Sequence, residues 1–147
     1  GAAWQDCQAD HQARKTGRGS WKKINFPADA KDILTVGSIN EQGMNAAFSA
    51  VGPTADGRIK PDVMAYGSPT SVITGRGSII NDNGTSFSSP LIAGMVACLW
   101  QALPRKTAKQ IIKLVKLASN NQQHPDNVFG YGVPDFWKAY QTGKAIK

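Results

Sequence analysis

The stretch Asn83–Gly94, "NGTSFSSPLIAG", decides the fold. It places a glycine, four hydroxyl-bearing residues and a proline directly before the apolar run "LIAGMVACLW". This composition predicts a helix from about Ser86 to Ala102 that is apolar nearly all round, and such a helix is expected to be buried. A helix start needs only one capping hydroxyl. The excess of hydroxyl groups therefore suggests that one of them is present to react.

The position of Ser86 suits nucleophilic acyl chemistry. A serine hydroxyl attacks a carbonyl only after a base removes its proton, and the resulting oxyanion needs hydrogen-bond donors already in place. The first turn of a helix supplies unpaired N–H groups and the positive end of the helix dipole. The alternative interpretation is that Thr85 or Ser86 simply caps the helix, which is the usual role of a hydroxyl at such a position.

Strands and helices alternate around this stretch, which predicts an α/β fold. The β-branched segment Asp32–Ile39 predicts a buried strand, and Ile59–Gly67 predicts another, with a proline near its beginning. Between them, Ala46–Pro53 is expected to form a second, shorter strand that ends in a turn. The segment Ser71–Ile80 predicts a hairpin broken by glycine.

Two further helices are predicted downstream. Thr107 and Gln110 form a capping-box pattern that begins a helix running to about Ser119. A polar loop and a glycine-rich turn then lead to a short terminal helix. Three aromatic residues are expected on or near the packing face of that helix: Phe136, Trp137 and Tyr140.

Charge and cysteine usage argue against several functional classes. The net charge is +7, but Lys109, Lys113 and Lys116 recur at the spacing of a solvated helix face, and no nucleic-acid motif accompanies them. Cys98 lies in the apolar run and is expected to be a small buried hydrophobe, while Cys7 offers it no disulfide framework or zinc motif. The longest apolar run is too short and too interrupted by glycine to span a membrane. The first residues are not expected to form a signal peptide, because they lack a charged start followed by an apolar stretch.

Together with its neighbours, the opening stretch resembles the serine motif of the subtilisin-like serine proteases, the subtilases of peptidase family S8. Gly84–Gly94, "GTSFSSPLIAG", is similar to the family pattern G-T-S-x-[SA]-x-P followed by a helix of small residues. Gly57–Gly67 resembles its K-P-D-[IV]-x-A-x-G segment, and Phe129–Tyr140 resembles its closing turn and helix. The resemblance runs from about Trp21 to Gln141 and points to proteins of Bacteroidetes bacteria.

The resemblance implies a role for each residue at the start of the helix. Ser86 would be the nucleophile of a serine endopeptidase, and its backbone N–H would donate to the oxyanion. Gly84 and Thr85 would shape the turn before it. Catalysis in this family requires no cofactor. Calcium sites are common in the family, but no ligand cluster in this sequence identifies one.

The triad partners that the family implies are not found before Ser86. Neither D-[ST]-G nor H-G-[TS]-H occurs there, and His11 and His124 are expected to be surface residues. Lys15 lies near the place where the family has its oxyanion asparagine. Residues 21–147 are therefore expected to be the C-terminal part of a subtilisin-like domain. That part is an incomplete parallel sheet flanked by helices, and its catalytic Asp and His are missing from this chain.

An incomplete catalytic domain has consequences for the activity and the partners of this chain. Residues 1–20 stay unassigned, as non-native sequence or an out-of-frame segment. The chain alone is expected to be inactive and to leave apolar faces uncovered on the first strand and on the Ser86 helix. It would then associate with the missing half of the domain or with itself. The expected substrate is a polypeptide, no nucleic acid or membrane is expected as a partner, and the parent protein would be secreted, periplasmic or at the cell surface.

Two other interpretations remain open. The chain could be a non-catalytic remnant, or pseudoenzyme, whose surface binds peptides or another chain. Alternatively, Ser86 could act with His124 as base and with Asp126 or Asp135 as its partner. That order occurs in α/β-hydrolases, but their nucleophile lies in G-x-S-x-G, and the second glycine is absent here.

Overall fold

The computed structural model describes residues 23, 24 and 26–146. The predictions for residues 1–20, including His11 and Lys15, lie outside these residues. The strands and helices, in chain order, are β1 (Val36–Asn40), β2 (Val63–Ser68), β3 (Thr70–Ile73), β4 (Ile79–Asp82), α1 (Thr85–Ala102), α2 (Ala108–Leu117) and α3 (Phe136–Ala145). Strands followed by helices confirm the α/β prediction.

The strands β1 and β2 form a parallel pair that carries the fold. Val36 pairs with Val63 at one end, and Asn40 pairs with Ser68 at the other, after a shift in register. Because the strands are parallel, their carboxyl ends meet at the same edge of the sheet. The helix α1 packs against both strands. Both strands were predicted from sequence, and β1 begins four residues later than the predicted segment.

The apolar core lies between this sheet and the three helices. The helix α2 begins as the sequence predicts: the Thr107 side chain accepts from the Gln110 backbone N–H at 3.3 Å, and the Gln110 side chain accepts from the Thr107 N–H at 2.8 Å. The predicted hairpin is also present, since β3 and β4 pair antiparallel. The buried core residues are Val36, Val63, Ala65, Ile92, Leu99, Leu103, Ile111, Leu114, Val115, Ala118 and Ala139.

The strand predicted over Ala46–Pro53 is not formed. The Ala46 N–H donates to the Ser38 carbonyl at 2.9 Å, and the Ser49 N–H donates back to the Ala46 carbonyl at 2.8 Å, which closes a turn. The Ser49 hydroxyl accepts from the Ser38 N–H at 2.9 Å. Turn and side-chain hydrogen bonds therefore take the place of a strand ladder, and Val51 contributes only an isolated bridge.

The helix α1 is buried on one side only, which corrects the expectation of an all-round buried helix. Its buried residues are Thr85, Ser88, Ile92 and Leu99. Met95 is 46% exposed, and Cys98 is a free, exposed cysteine rather than a buried hydrophobe. The uncovered side matches the expectation that this chain leaves part of α1 open. A helix that is apolar all round does not reveal which of its sides the chain itself covers.

Asp62 organises the amino end of β2. Its Oδ2 accepts from the Thr35 N–H at 2.8 Å and from the Lys60 Nζ at 2.5 Å, and its Oδ1 lies 2.5 Å from the Lys116 Nζ. Asp62 is buried, Lys60 is buried beside it, and the Lys116 side chain is only 24% exposed. Lys116 is therefore not part of a solvated face, as its spacing had suggested, because it reaches inward from α2. Lys109 and Lys113 are exposed as predicted.

Within residues 23–24 and 26–146, no helix is long and apolar enough to cross a membrane.

Candidate active site

The candidate site lies at the carboxyl edge of the β1–β2 sheet, where α1 begins. The Gly84 N–H donates to the Gly67 carbonyl at 3.0 Å, which fixes the chain before α1 to the end of β2. Ser86 follows in the first turn of α1 and is partly exposed. In open α/β sheets, ligands bind beyond the carboxyl ends of the strands. Ser86 is therefore placed where such sheets bind their substrates.

The start of α1 is not capped by a hydroxyl. Gly84 occupies the N-cap position, and no side chain makes a cap hydrogen bond. The Phe87 N–H donates to the Gly84 carbonyl at 3.0 Å. Within the described residues, neither the hydroxyl nor the backbone N–H of Ser86 has a hydrogen-bond partner. Ser86 is therefore not the N-cap residue of α1, and its hydroxyl does not cap the helix.

Pro90 extends this open arrangement to the carbonyl of Ser86. Pro90 lies inside α1, four residues after Ser86. Proline has no N–H, so it cannot donate to the carbonyl four residues earlier in a helix. The Ser86 carbonyl therefore lacks the N–H donor that a helix normally supplies from four residues later.

Ser88 fixes the first turn of α1 to the sheet. Its side chain is fully buried. The Ser88 hydroxyl lies 3.1 Å from the Ala65 carbonyl and 3.2 Å from the Tyr66 carbonyl, both on β2. A buried hydroxyl that donates to a strand carbonyl holds the two elements at a set separation. Ser88 therefore positions the turn that carries Ser86.

Gly67 permits the close approach of α1 and β2. A Cβ atom at this position would lie closer than 3.0 Å to the Ser88 hydroxyl, the Ser38 hydroxyl and the Gly84 carbonyl. No side chain fits there without a displacement. Gly84 and Gly67 thus let two backbones meet at the point where Ser86 leaves the sheet.

Polar side chains beside Ser86 are also held in place. The Ser68 hydroxyl donates to the Asn83 Oδ1 at 2.8 Å, and the Asp82 Oδ1 accepts from the Asn83 N–H at 2.8 Å. These residues lie at the end of β2 and between β4 and α1. Asn83 is visible in the serine stretch of the sequence. Its partner Ser68 could not be predicted, because it lies 15 residues earlier.

The residues of the alternative triad are not brought to Ser86. Asp126 accepts from the Val128 and Phe129 N–H groups at 2.7 Å each, so it orders its own loop. Asp135 caps α3 through the Lys138 N–H at 2.9 Å. His124 is exposed, as predicted, and the hydrogen bond described for it is from its N–H to the Asn121 carbonyl at 3.2 Å.

That loop packs at the opposite end of β2 from Ser86. The Tyr131 N–H donates to the Asp62 carbonyl at 2.8 Å, and the Met64 N–H donates to the Gly132 carbonyl at 3.0 Å. Met64 and Ser68 are four residues apart on β2, a separation of about 13 Å along the strand. The α/β-hydrolase arrangement is therefore not formed. A base for Ser86 is not supplied by this loop.

Metal chemistry has no candidate among the residues of known placement: none of their His, Cys, Asp and Glu side chains form a group of three or more that could hold a metal ion. The first turn of α1 can present the Ser86 hydroxyl and the Ser86 N–H to a substrate that lies across the carboxyl edge of the β1–β2 sheet.

Comparison with known proteins agrees with this picture. The model of the subtilase family, peptidase S8, matches residues 12–132. Subtilisin-like protease SBT6.1 of Arabidopsis thaliana is 37% identical over 98 residues, which are 60% of this chain and 9% of that protein. Membrane-bound transcription factor site-1 protease of Mus musculus is 32% identical over 134 residues, which are 84% of this chain and 13% of that protein.

Solved structures share the fold. The crystal structure of MycP1 from Mycobacterium smegmatis superposes with a TM-score of 0.65 and 26% identity, and the match covers 85% of this chain and 35% of that one. Another matching MycP1 structure is described as coming from the ESX-1 type VII secretion system. The chain therefore spans about a tenth of the two sequence relatives and about a third of MycP1. It corresponds to part of a larger domain, as predicted.

Proposed function

The chain belongs to the subtilase family, and on this basis we propose that it contributes the nucleophile of a serine endopeptidase, with Ser86 in that role. One observation carries the proposal: Ser86 stands in the first turn of α1 at the carboxyl edge of a parallel sheet, with its hydroxyl and its N–H unpaired within the described residues. A helix cap or a packing residue would have its hydroxyl engaged.

The proposed chemistry assigns each group of Ser86 a task. The hydroxyl oxygen attacks the carbonyl carbon of a peptide bond while a histidine takes its proton, and that proton later passes to the leaving amine. The backbone N–H donates to the oxyanion of the tetrahedral intermediate. Gly84 and Thr85 are proposed to shape the turn that carries this N–H.

The histidine and the aspartate that orients it are proposed to lie in a part of the enzyme that this chain does not contain. The loop that contains His124 packs at the opposite end of β2 from Ser86. Without a base, a serine retains only the binding and oxyanion contributions to catalysis. The chain alone is therefore proposed to be inactive, and activity would require the region that holds the family's Asp and His motifs.

The oxyanion hole in this proposal needs a second donor besides the Ser86 N–H. The family's asparagine would fall near Lys15, and a flexible lysine ammonium does not replace a fixed amide donor. Loss of one oxyanion donor lowers the rate by about a hundredfold or more. An enzyme with lysine at that position would therefore be slow even when its histidine is present.

Labelling with a fluorophosphonate tests the proposal, since the reagent modifies only a serine whose proton is removed by a base. We expect modification of Ser86 in a longer protein that includes the Asp- and His-bearing region, and none in this chain alone. Ser86→Ala should abolish the label, whereas the matched change Ser89→Ala, in the same helix, should keep it. Labelling of the longer protein that survives Ser86→Ala would refute the assignment.

A second function from another class is supported by the open side of α1. Between α1 and α3 lies an open apolar cavity of about 500 Å³. Such a surface suits contact with another polypeptide. If the longer protein is never labelled, the chain is better described as a non-catalytic remnant that binds a peptide or a protein through this surface.

The cavity between α1 and α3 also supports the proposal that this chain binds another polypeptide chain. Either the missing half of the domain covers the cavity or a second copy of the chain does. The cavity is lined by Met95, Cys98, Leu99, Ala102, Phe136, Trp137 and Tyr140.

Location and cofactor use stay predictions. The relation of MycP1 to a secretion system supports a secreted, periplasmic or surface location for the parent protein. Catalysis is proposed to need no cofactor. The resemblance to proteins of Bacteroidetes bacteria also stays a prediction, because the relatives described above come from other organisms.

A further inference from the structure

We infer that Ser38 is a positioning residue for the proposed reaction: its buried hydroxyl donates a hydrogen bond to the turn that carries Ser86 when Ser86 attacks a substrate. This inference rests on the proposed function, because it assigns Ser38 a part in the reaction of Ser86. Ser38 acts on the substrate only through that turn, residues 84–88, which we call the serine turn.

The Ser38 hydroxyl is buried and unpartnered. Its side chain lies in the middle of β1 and is fully buried. Both backbone groups of Ser38 are engaged, since the N–H donates to the Ser49 hydroxyl at 2.9 Å and the carbonyl accepts from the Ala46 N–H at 2.9 Å. The hydroxyl, in contrast, has no hydrogen-bond partner among the residues that the structure describes. A buried polar group without a partner is costly in the resting protein.

The serine turn lies directly beside this hydroxyl. The Ser38 hydroxyl, the Ser88 hydroxyl and the Gly84 carbonyl all lie within 3.0 Å of the point that a Cβ atom of Gly67 would occupy. Gly84 and Ser88 stand on either side of Ser86 in the chain. Because Gly67 has no side chain, Ser38 therefore faces both ends of the turn that carries the proposed nucleophile.

Ser38 can only be the donor in a contact with the serine turn. The Ser88 hydroxyl donates its proton to the carbonyls of Ala65 and Tyr66, at 3.1 and 3.2 Å, since a carbonyl oxygen accepts and never donates. The Ser88 oxygen therefore offers Ser38 only its lone pairs. The Gly84 carbonyl likewise offers only an acceptor. The direction of the hydrogen bond is thus determined by the chemistry of its neighbours.

The hydrogen bond from Ser38 belongs to the reacting state. It is not formed in the resting structure, where the hydroxyl is unpartnered. A small displacement of the serine turn during attack by Ser86 brings one of its oxygens within about 3 Å of the Ser38 hydroxyl, the range of an O–H···O bond. An interaction that forms only in the reacting state lowers the barrier. Ser38 therefore accelerates the reaction of Ser86 without stabilising the resting protein.

Thr70 provides a matched control. Its hydroxyl oxygen is also buried and also has no partner among the residues of known placement. Thr70 begins β3 and is not part of the serine turn. Ser38→Ala and Thr70→Val each remove one unpartnered hydroxyl, and valine keeps the size of threonine.

The test measures how fast a fluorophosphonate labels Ser86 in the longer protein that includes the Asp- and His-bearing region. Ser38→Ala should slow labelling about three- to tenfold, the change expected when one hydrogen bond is lost from the reacting state. Its unfolding temperature should stay the same or rise, because the hydroxyl has no partner to lose in the resting protein. Thr70→Val should be labelled at the rate of the unaltered protein.

Three results would overturn the inference: unchanged labelling in Ser38→Ala, a lower unfolding temperature in Ser38→Ala, or an equal slowing in Thr70→Val. The second result would assign Ser38 a structural role instead. Failure of the proposed function has a different signature, since Ser86 would then be labelled in none of these proteins. Labelling that is equally fast with and without the Ser38 hydroxyl refutes the role of Ser38 alone.

Discussion

Asp62 shows how one buried carboxylate determines the structure around it. Two lysines and a backbone N–H converge on it. Burial lowers the pKa of Lys60, while the hydrogen bond and the charge of Asp62 act in the opposite direction. The carboxylate thus offsets part of the cost of burying the Lys60 amine, since an unpaired ammonium in the interior would be very costly.

Removal of this carboxylate should be strongly destabilising. We expect Asp62→Asn to lower the free energy of unfolding by about 3–5 kcal/mol, because it leaves the Lys60 charge buried and without its partner. Urea denaturation measures this loss. The control is Asp56→Asn, which breaks the exposed pair with Arg58. That pair is screened by water, so its loss should be far smaller. Similar losses in the two variants would contradict the role assigned to Asp62.

At the residue scale the sequence predicted a reactive position but not the contacts that support it. The motif predicts Ser86 as the nucleophile, because glycine and hydroxyl residues before an apolar run are visible in a short window. The spacing of Lys116 indicated a solvated face, because helical periodicity does not show that the buried Asp62 carboxylate lies close to α2. The contact of Ser68 with Asn83 was likewise invisible, because only the hairpin β3–β4 brings the two together.

Among the elements, those with local signals were predicted best. The capping box of α2 and the glycine-broken hairpin depend on residues close in sequence, and both were confirmed. The segment Ala46–Pro53 was predicted wrongly because its apolar residues suit a strand. Its backbone groups instead pair within a turn and with the end of β1. Tertiary hydrogen bonding thus overrode the local preference.

The packing of α1 on β2 predicts that alanine lowers the free energy of unfolding at one glycine and raises it at another. Gly67→Ala should destabilise the protein by about 1–3 kcal/mol, because the new methyl group overpacks the contact with Ser88 and displaces the turn that holds Ser86. Gly94→Ala, on α1, should stabilise it by about 0.5–1 kcal/mol, since a Cβ there meets no atom within 4 Å and alanine favours a helix.

Thermal or chemical denaturation of both variants checks this pair. Fluorophosphonate labelling of the longer protein should also slow in Gly67→Ala and stay unchanged in Gly94→Ala. A stable Gly67→Ala protein with normal labelling would show that α1 and β2 do not need their close approach.

For the whole molecule, the uncovered apolar surface is the dominant property. Trp137 is 67% exposed although it was expected on or near a packing face, and it lines the cavity between α1 and α3 with Met95. The sequence predicted that the chain spans part of a subtilisin-like domain, and its coverage of about a third of MycP1 agrees with this prediction. It did not indicate which side of α1 would be left open, since that depends on the arrangement of all three helices.

The open apolar surface between α1 and α3 predicts that the chain associates with itself. A single charged side chain introduced into this surface should weaken the association. Sedimentation velocity of the chain is expected to show concentration-dependent dimers or larger species, and Met95→Lys, in the cavity, should shift them toward monomer. The control is Met44→Lys: Met44 is 56% exposed but does not line the cavity. A compact monomer at all concentrations, or an equal effect of both changes, would contradict an apolar interface at this site.

The parallel pairing of β1 and β2 also determines when Ser86 can be arranged. Thr35 and Asp62 are 27 residues apart, and bringing such distant segments together costs about 3 kcal/mol of chain entropy before any ladder bond is formed. The helix that carries Ser86 docks on this pair, and its last turn ends at Ala102. During synthesis, the hydroxyl is therefore not presented until the ribosome has passed that turn. In the proposed endopeptidase, this order of assembly delays the presentation of Ser86 until the sheet edge that positions it has formed.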